Sequence, residues 1–324
     1  MNSSAPGRSC PLHYHYAPSS FTRAPSQDLN DLEVLYVVGG LYGNTLALRS
    51  IESMFAGEKG NKQVIFNGDF HWFDAKQQLF DQIESGVSKH HSLRGNVETE
   101  LVSKDHNAGC GCAYPDWVED GVVDRSNLIL QSLRSYVTPS AKSRLSSLPM
   151  WEVASVGSKR IGIVHGDATS LAGWGFAQEH LKDQSHLDLL KSWFDAANVD
   201  VFASTHTCLP VMHSIQRSCG LAAWLVNNGS AGMPNFLGDP AGLITRIATH
   251  PQAGFPSRAH LELDGIYIDL LAVEFDHQSW RDLFLNIWPH GSDANLSYLH
   301  RIMNGPNYQP DQVLRHSSME HMTC

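Results

Sequence analysis

Residues 64–69 read Val-Ile-Phe-Asn-Gly-Asp, an apolar run that ends in a carboxylate. Such a run is typical of a buried strand, so the side chain of Asp69 is expected at a strand end. Functional residues concentrate on the loops that follow such strands. Three later segments also place a polar residue after an apolar or β-branched run: Arg94-Gly95-Asn96, His165-Gly166 and Thr205-His206-Thr207. The four segments together predict one site at converging strand ends.

The four segments supply side chains of the types that commonly bind a metal ion. They supply one carboxylate (Asp69), one amide oxygen (Asn96) and two imidazoles (His165 and His206). Imidazole with oxygen ligands suits Zn²⁺, Mn²⁺ and Fe²⁺. We therefore expect a divalent metal ion, Mn, Zn or Fe, as the cofactor.

Five short blocks occur in a recognisable order along the chain. They are Gly40-Leu41-Tyr42-Gly43-Asn44, Gly68-Asp69, Gly95-Asn96-Val97-Glu98, His165-Gly166 and Thr205-His206-Thr207-Cys208-Leu209-Pro210. In this order the chain resembles the calcineurin-like metallophosphoesterase family. Residues 228–234, Asn-Gly-Ser-Ala-Gly-Met-Pro, are similar to a motif of its small prokaryotic, phosphodiesterase-type branch. The resemblance covers residues 31–280 and implies an α/β four-layer sandwich, with two mixed β-sheets flanked by helices.

The resemblance also implies two metal positions side by side. One carries over completely, to Asp69, Asn96, His165 and His206. The other shares Asp69, but its remaining ligands are replaced by Gly40, Tyr42 and Cys208. We therefore expect one tightly bound ion per chain. A second ion is expected only if Cys208, as a thiolate, Tyr42 or the cysteines at 110 and 112 rebuild the lost position.

The function implied by the resemblance is hydrolysis of a small phosphate ester, either a monoester or a diester, by a metal-bound hydroxide. Asn96 and His165 hold the metal in this scheme, while Arg94 and Tyr42 steady the nonbridging oxygens. The alternative is a catalytically impaired relative that binds a phosphorylated ligand in a regulatory role. Residues 37–43 also resemble a dinucleotide-binding turn, but the first glycine of that motif would fall on Val38, so the spacing excludes it.

Composition limits the partners. The formal net charge of −10 argues against tight nonspecific nucleic-acid binding, which depends on Lys and Arg. We find no run long enough to span a membrane and no signal-peptide core, and we expect a cytoplasmic protein. The six cysteines are irregularly spaced, and a disulfide framework is not expected. A small phosphorylated substrate is the expected partner, and the oligomeric state stays open.

The chain divides by composition and motif content. Residues 1–30 read as a polar N-terminal tail, and residues 31–280 as the metallophosphoesterase-like domain. That domain contains an inserted, mainly helical segment at 99–150. Residues 281–324 form a C-terminal extension.

Four features of the sequence each have two possible interpretations. Glu98 either orients groups of the site or favours a helix start as a carboxylate. Asp167 either supports an imidazole or caps a loop. His71 either reaches the substrate or is an ordinary loop histidine. The cysteines of residues 109–112, Gly-Cys-Gly-Cys, either bind metal or do not.

Overall fold

Strand β1 (Val34–Val38) is buried along its whole length because both of its faces are covered. Successive side chains of a strand point to opposite faces. Leu35 and Val37 enter one apolar core, and Tyr36 and Val38 enter another. The computed structural model describes residues 5–252 and 254–316. Within them, β1 lies near the middle of a six-stranded sheet.

The first sheet combines β1 with five further strands, β2 (Lys62–Asn67), β3 (His91–Leu93), β9 (Gly242–Ala248), β10 (Ser257–Leu263) and β11 (Ile266–Val273). Their order is β10-β11-β9-β1-β2-β3. The β1, β2 and β3 strands run parallel, whereas β9, β11 and β10 each run antiparallel to their neighbours. The carboxyl ends of β2 and β3 therefore lie at the same edge.

The second sheet contains six strands, β4 (Trp151–Val156), β5 (Lys159–Val164), β6 (Val201–Ser204), β7 (Val211–Gln216), β8 (Ala222–Asn227) and β12 (Leu314–Arg315). Their order is β12-β7-β8-β6-β5-β4. Its β5, β6 and β8 strands run parallel, and the sheet is also mixed. The carboxyl ends of β5 and β6 again share an edge.

Helices cover the outer faces of both sheets. The α-helices of the described residues are α1 (Thr45–Gly57), α2 (Gln77–Val87), α3 (Asn96–Val102), α4 (Asp120–Arg134), α5 (Pro139–Ser147), α6 (Gln184–Ala197), α7 (His277–Ile287) and α8 (Asp293–Asn304). Ile51 of α1 and Ile83 of α2 pack on the first sheet, and Phe194 of α6 packs on the second. A third core lies between the sheets. The predicted four-layer α/β sandwich is confirmed.

The polar N-terminal segment is not a free tail in residues 5–30. Tyr14, Phe21 and Leu29 are fully buried. Phe21 packs edge-on against Phe202 of β6, with ring centroids 5.2 Å apart. The Tyr14 hydroxyl donates to the Glu100 carboxylate at 2.6 Å. A few well-spaced aromatic side chains anchor a segment whose composition alone looks like solvent-exposed chain.

The predicted insertion and extension both pack against the domain. Residues 99–150 contain the last part of α3 with α4 and α5. Helix α8, in the C-terminal extension, packs against α4. The last described strand of the extension, β12, pairs with β7. Residues 317–324, including Cys324 of the six cysteines, lie outside the described residues. Among residues 5–252 and 254–316, no helix combines the length and apolar character needed to cross a bilayer.

Candidate metal centre

Four strand ends bring the predicted ligands together where the two sheets meet. Asp69 follows β2, Asn96 opens α3 after β3, His165 follows β5, and His206 follows β6. All four residues are at most 6 % exposed. One ligand atom each from Asp69, His165 and His206 lies within 4.8 Å of the other two. We call Asp69, Asn96, His165 and His206 the acceptor cluster.

Backbone carbonyls fix the protonation of both imidazoles. His165 Nδ1 lies 2.9 Å from the carbonyl oxygen of Asn67, and His206 Nε2 lies 3.0 Å from that of Cys112. A carbonyl only accepts hydrogen bonds, so each of these ring nitrogens must carry the hydrogen. In neutral rings, His165 Nε2 and His206 Nδ1 are then both lone-pair acceptors. These two atoms face each other at 3.1 Å.

Two oxygens complete the same group. Asn96 Nδ2 donates to the Cys110 carbonyl at 2.9 Å, which turns Asn96 Oδ1 toward His165 Nε2 at 3.2 Å. Asp69 Oδ1 lies 3.4 Å from the same nitrogen. All four facing atoms are acceptors when the imidazoles are neutral, and none of them supplies a hydrogen to the others. Such a buried arrangement needs a cation or an added proton to be stable. The donor set therefore fits a divalent metal ion.

The short distances within the acceptor cluster shift the pKa values of its ionisable side chains. Burial acts to raise the pKa of Asp69, but His165 and its contact with the carboxylate outweigh burial and hold that pKa below its usual value. Burial acts to lower the pKa of His165, whereas the Asp69 charge raises it to a net value above normal. Burial and then the neighbouring His165 lower the pKa of His206 to about 3. His206 is therefore kept neutral, as a metal ligand must be.

Glu98 positions the loop that carries Asp69. Its carboxylate accepts hydrogen bonds at 2.8 Å from the backbone nitrogens of both Asp69 and Gly95. It also accepts from the nitrogens of Phe70 at 3.1 Å and His71 at 3.3 Å. One buried carboxylate thus joins the β2 loop to the start of α3. Of the two roles predicted for Glu98, these contacts support the one that orients groups of the site. Its position in the first turn of α3 brings the carboxylate to those backbone nitrogens.

Two glycines allow the close packing of these loops. A Cβ at Gly68 would lie 2.5 Å from the Gly95 nitrogen and 2.7 Å from His165 Nδ1. A Cβ at Gly95 would overlap the Asp69 carboxylate. Gly68 also has a φ of 77°, in the left-handed region that favours glycine. Any side chain at residue 68 or 95 would therefore overlap its neighbours, so both the Gly-Asp and the Gly-Asn block require their glycine.

At the neighbouring position, predicted to be the degenerate metal site, two side chains contact each other. The Tyr42 hydroxyl and the Cys208 sulfur lie 2.8 Å apart and satisfy each other. We call them the Tyr42–Cys208 pair. A Cβ at Gly40 would lie 2.8 Å from the Tyr42 ring. Burial raises the pKa of the Tyr42 phenol and of the Cys208 thiol, which favours the protonated forms of both.

Three residues of the site have a left-handed backbone without being glycine. Their φ angles are 54° at Tyr42, 52° at Asp69 and 60° at Cys208. Such conformations cost on the order of 1–3 kcal/mol each and cluster at functional sites. Both halves of the site thus hold strained loop residues.

A cavity of about 250 Å³ opens beside the acceptor cluster. Asp69, Asn96 and His206 line it, together with Tyr42 and Cys208. Arg301 of α8 is the one Lys or Arg among its lining residues. The Arg301 guanidinium donates to the carbonyl of Cys208 at 2.7 Å and to that of Pro234 at 3.2 Å. No motif marks Arg301 in the sequence, and sequence reasoning missed it.

Arg94, the cation predicted to contact phosphate, does not line this cavity. Its backbone nitrogen donates to the Pro149 carbonyl at 3.0 Å. Its side chain is partly buried, and Nε has no hydrogen-bond partner in the described part of the chain. Burial lowers the pKa of the Arg94 guanidinium. The structure brings the acceptor cluster, Tyr42 and Cys208 together, but leaves Arg94 outside the cavity.

Two other polar residues have structural partners. His71 lies between Asp74 and Glu84, at 2.6 Å and 2.9 Å, and does not line the cavity. Asp167 accepts from the backbone nitrogens of Thr169, Ser170 and Gly175, so its contacts are those of a loop cap.

The cysteines of residues 109–112 approach the cluster through their backbone. Cys110 and Cys112 form a disulfide, a single local bridge that was not predicted from the sequence. Their carbonyl oxygens hold Asn96 and His206. The inserted segment therefore positions two of the predicted metal ligands with main-chain groups, and its sulfur atoms are bonded to each other.

The fold is that of solved metallophosphoesterases. A metallophosphoesterase from Sphaerobacter thermophilus superposes with a TM-score of 0.53 at 15% identity, over 84% of this chain and 100% of that one. The hypothetical protein PH1004 from Pyrococcus horikoshii OT3 gives 0.55 at 14% identity, over 85% and 99%. No protein-family model and no curated protein sequence matches the chain. At these identities the likeness establishes the fold.

Proposed function

We propose that this chain, which has the calcineurin-like metallophosphoesterase fold, is a metal-dependent hydrolase of a small phosphate ester. One observation carries the proposal. Four buried acceptor atoms, from Asp69, Asn96, His165 and His206, face one another with no hydrogen between them in the neutral state of the imidazoles. A divalent ion satisfies all four at once, and the adjoining cavity gives a small ligand access to that position.

The ion would be held by the acceptor cluster, as a single tightly bound Mn²⁺, Zn²⁺ or Fe²⁺. When bound, a divalent ion lowers the pKa of a water molecule and polarises a phosphoryl oxygen. The chain supplies the orientation. His165 and His206 are fixed by the carbonyls of Asn67 and Cys112, an arrangement that sets the tautomer and increases the basicity of the ligating nitrogen.

Arg301 and Tyr42 would bind the nonbridging oxygens of the ester. Both line the cavity, and Arg301 lies against Cys208, on the side where the family would place its other metal ion. A guanidinium forms strong hydrogen bonds to phosphoryl oxygens, and its charge compensates part of that of the missing ion. The Tyr42 hydroxyl can donate to the ester in place of Cys208. This assignment gives Arg301 the role that the sequence suggested for Arg94.

The alternative is a binding protein that retains the scaffold without turnover. The Tyr42–Cys208 pair supports it, because two protein groups satisfy each other where a second ion would otherwise be bound. The charge stabilisation that two ions share would then be incomplete. A phosphorylated ligand would still find the acceptor cluster with its ion and Arg301.

The test is a metal count combined with hydrolysis. Zn, Mn and Fe are measured per chain in untagged protein, and 4-nitrophenyl phosphate and bis(4-nitrophenyl) phosphate are offered with each ion. One metal per chain with hydrolysis, both lost in Asp69→Ala, is expected. One metal without hydrolysis would favour the binding protein. If neither metal uptake nor hydrolysis is seen in folded protein, both proposals fail.

A further inference from the structure

Aromatic side chains dominate the cavity beside the acceptor cluster. Trp72 follows β2, Tyr114 lies in the inserted segment, Trp174 follows β5, and Tyr298 belongs to α8. The rings form two pairs, Tyr114 with Trp174 at 6.0 Å and Trp72 with Tyr298 at 6.4 Å between centroids. Four separate segments thus contribute one ring each, Tyr42 adds a fifth, and most of the lining surface is apolar.

This aromatic lining reaches the metal ligands. The Trp174 ring lies edge-on to the His206 ring, with centroids 5.3 Å apart. Trp174 Nε1 donates to the Cys112 carbonyl at 3.0 Å, the same carbonyl that holds His206. A group that contacts Trp174 is therefore close to anything bound at the acceptor cluster.

We propose that the cavity is a leaving-group subsite for a planar aromatic ring, so that the substrate is a phosphomonoester of a small aromatic alcohol or phenol. The inference rests on the hydrolase activity proposed above and names its substrate class. The phosphoryl group sits between the acceptor cluster and Arg301, and the ring packs among Trp72, Tyr114, Trp174 and Tyr298. Offset-stacked and edge-to-face ring pairs are favourable beyond the burial of area.

The same features disfavour other phosphate esters. A sugar or nucleoside would lose hydrogen bonds to water, and two of the rings have their polar groups engaged already, since Tyr114 contacts Ser126 at 3.1 Å and Trp174 donates to the Cys112 carbonyl. A volume of about 250 Å³ is below the range of roughly 300–1,000 Å³ common for larger ligands. Arg301 as the one lining cation suits a single phosphoryl group and not a polyphosphate.

The experiment compares benzyl phosphate with cyclohexylmethyl phosphate. Both esters release a primary alcohol with the same carbon skeleton, so the difference in kcat/KM reports planarity and aromaticity. We expect benzyl phosphate to be roughly tenfold better, which corresponds to about 1.4 kcal/mol. In Tyr114→Leu this preference falls toward one, and Tyr114→Phe, which keeps the ring, restores it. Tyr267→Leu is the matched control, because Tyr267 lies on β11 outside the cavity.

A binding measurement separates this inference from the proposed hydrolysis. Benzylphosphonate, which has no ester bond, is titrated calorimetrically against cyclohexylmethylphosphonate with the purified chain and its Tyr114 variants. Tighter binding of benzylphosphonate that is lost in Tyr114→Leu supports the subsite even if no ester is cleaved. Ester cleavage without an aromatic preference, or a preference that persists in Tyr114→Leu of unchanged Tm, overturns the subsite and leaves the hydrolase standing.

Discussion

The acceptor cluster and the Tyr42–Cys208 pair are neighbours with opposite hydrogen-bonding states. In the acceptor cluster, four atoms face one another without a hydrogen among them when the imidazoles are neutral. In the Tyr42–Cys208 pair, a hydroxyl and a thiol satisfy each other at 2.8 Å. The first arrangement requires a cation or an added proton, whereas the second does not. A donor and acceptor count therefore separates a group that fits a metal ion from a pair that needs none, although both lie on strained loops of the same fold.

The largest difference in metal binding and hydrolysis is expected between two variants, one that removes a side chain of the acceptor cluster and one that removes a side chain of the Tyr42–Cys208 pair. His206→Ala deletes an acceptor and should abolish both metal binding and hydrolysis. Cys208→Ala should retain one metal per chain, because its thiol contacts Tyr42 and the backbone carbonyl of His206 at 3.3 Å, and none of the four facing side-chain atoms of the acceptor cluster. Metal content by elemental analysis and the rate with 4-nitrophenyl phosphate check both variants. Equal losses in the two variants would contradict the comparison.

The next largest effect is expected at Arg301. Arg301→Gln should lower kcat/KM by roughly 10- to 100-fold, the usual range for a hydrogen bond to a charged group. Arg301→Lys should recover part of the loss, and metal content should not change. Arg281→Gln, on α7 and outside the cavity, is the matched control. An Arg301→Gln enzyme with normal kinetics would show that the Tyr42–Cys208 side needs no compensating charge.

Glu98 should produce a smaller effect through metal affinity. Glu98→Gln replaces one acceptor oxygen with a donor that faces backbone N–H groups of the Asp69 loop. Supporting residues of this kind typically cost 10- to 100-fold in metal affinity when mutated, and we expect about tenfold. Competition with a chelator measures the affinity. A changed kcat at saturating metal would instead indicate direct contact with the ester.

Restoring the expected ligands at residues 40, 42 and 208 should have the smallest effect on activity and a clear effect on the number of metal ions bound per chain. Gly40→Asp with Cys208→His is expected to remain at one metal, because a side chain at residue 40 meets the Tyr42 ring. Adding Tyr42→His removes that ring and should raise the count to two per chain. If the triple variant still binds one ion, these three positions do not correspond to the lost ligands.

Much of the fold follows from hydrophobic pattern. The strands that end at Asp69 and His165 are unbroken apolar runs in the sequence, and both form as predicted. The hairpin of β10 and β11 is predictable from Asp264-Gly265, whose φ angles of 44° and 87° suit the tight turn. Strand β9 is not predictable in this way, because it contains Arg246. That arginine is fully buried and paired with Glu58 and Asp269, contacts that only the tertiary structure supplies.

The candidate site was predictable only where ligands follow strands. Asp69, His165 and His206 follow apolar runs, and the blocks of Asp69, Asn96 and His165 each contain a glycine. The sequence predicts all four as one set. Arg301 lies on a helix of the C-terminal extension, where nothing local distinguishes it from another surface arginine. Arg94 immediately precedes a block glycine, but proximity in sequence did not place its guanidinium in the cavity. Side-chain direction depends on packing that spacing does not encode.

The cluster spans the boundary between the two sheets, with Asp69 and Asn96 on the first sheet and His165 and His206 on the second. Asn67 strengthens this junction by donating to the Val164 carbonyl at 2.6 Å. An ion bound there cannot be retained if the sheets separate. Its occupancy is therefore linked to unfolding, and an ion at 100 times its Kd adds about 2.7 kcal/mol to the free energy of unfolding. Heating the chain with successive ions would rank their affinities by melting temperature, without any knowledge of the substrate.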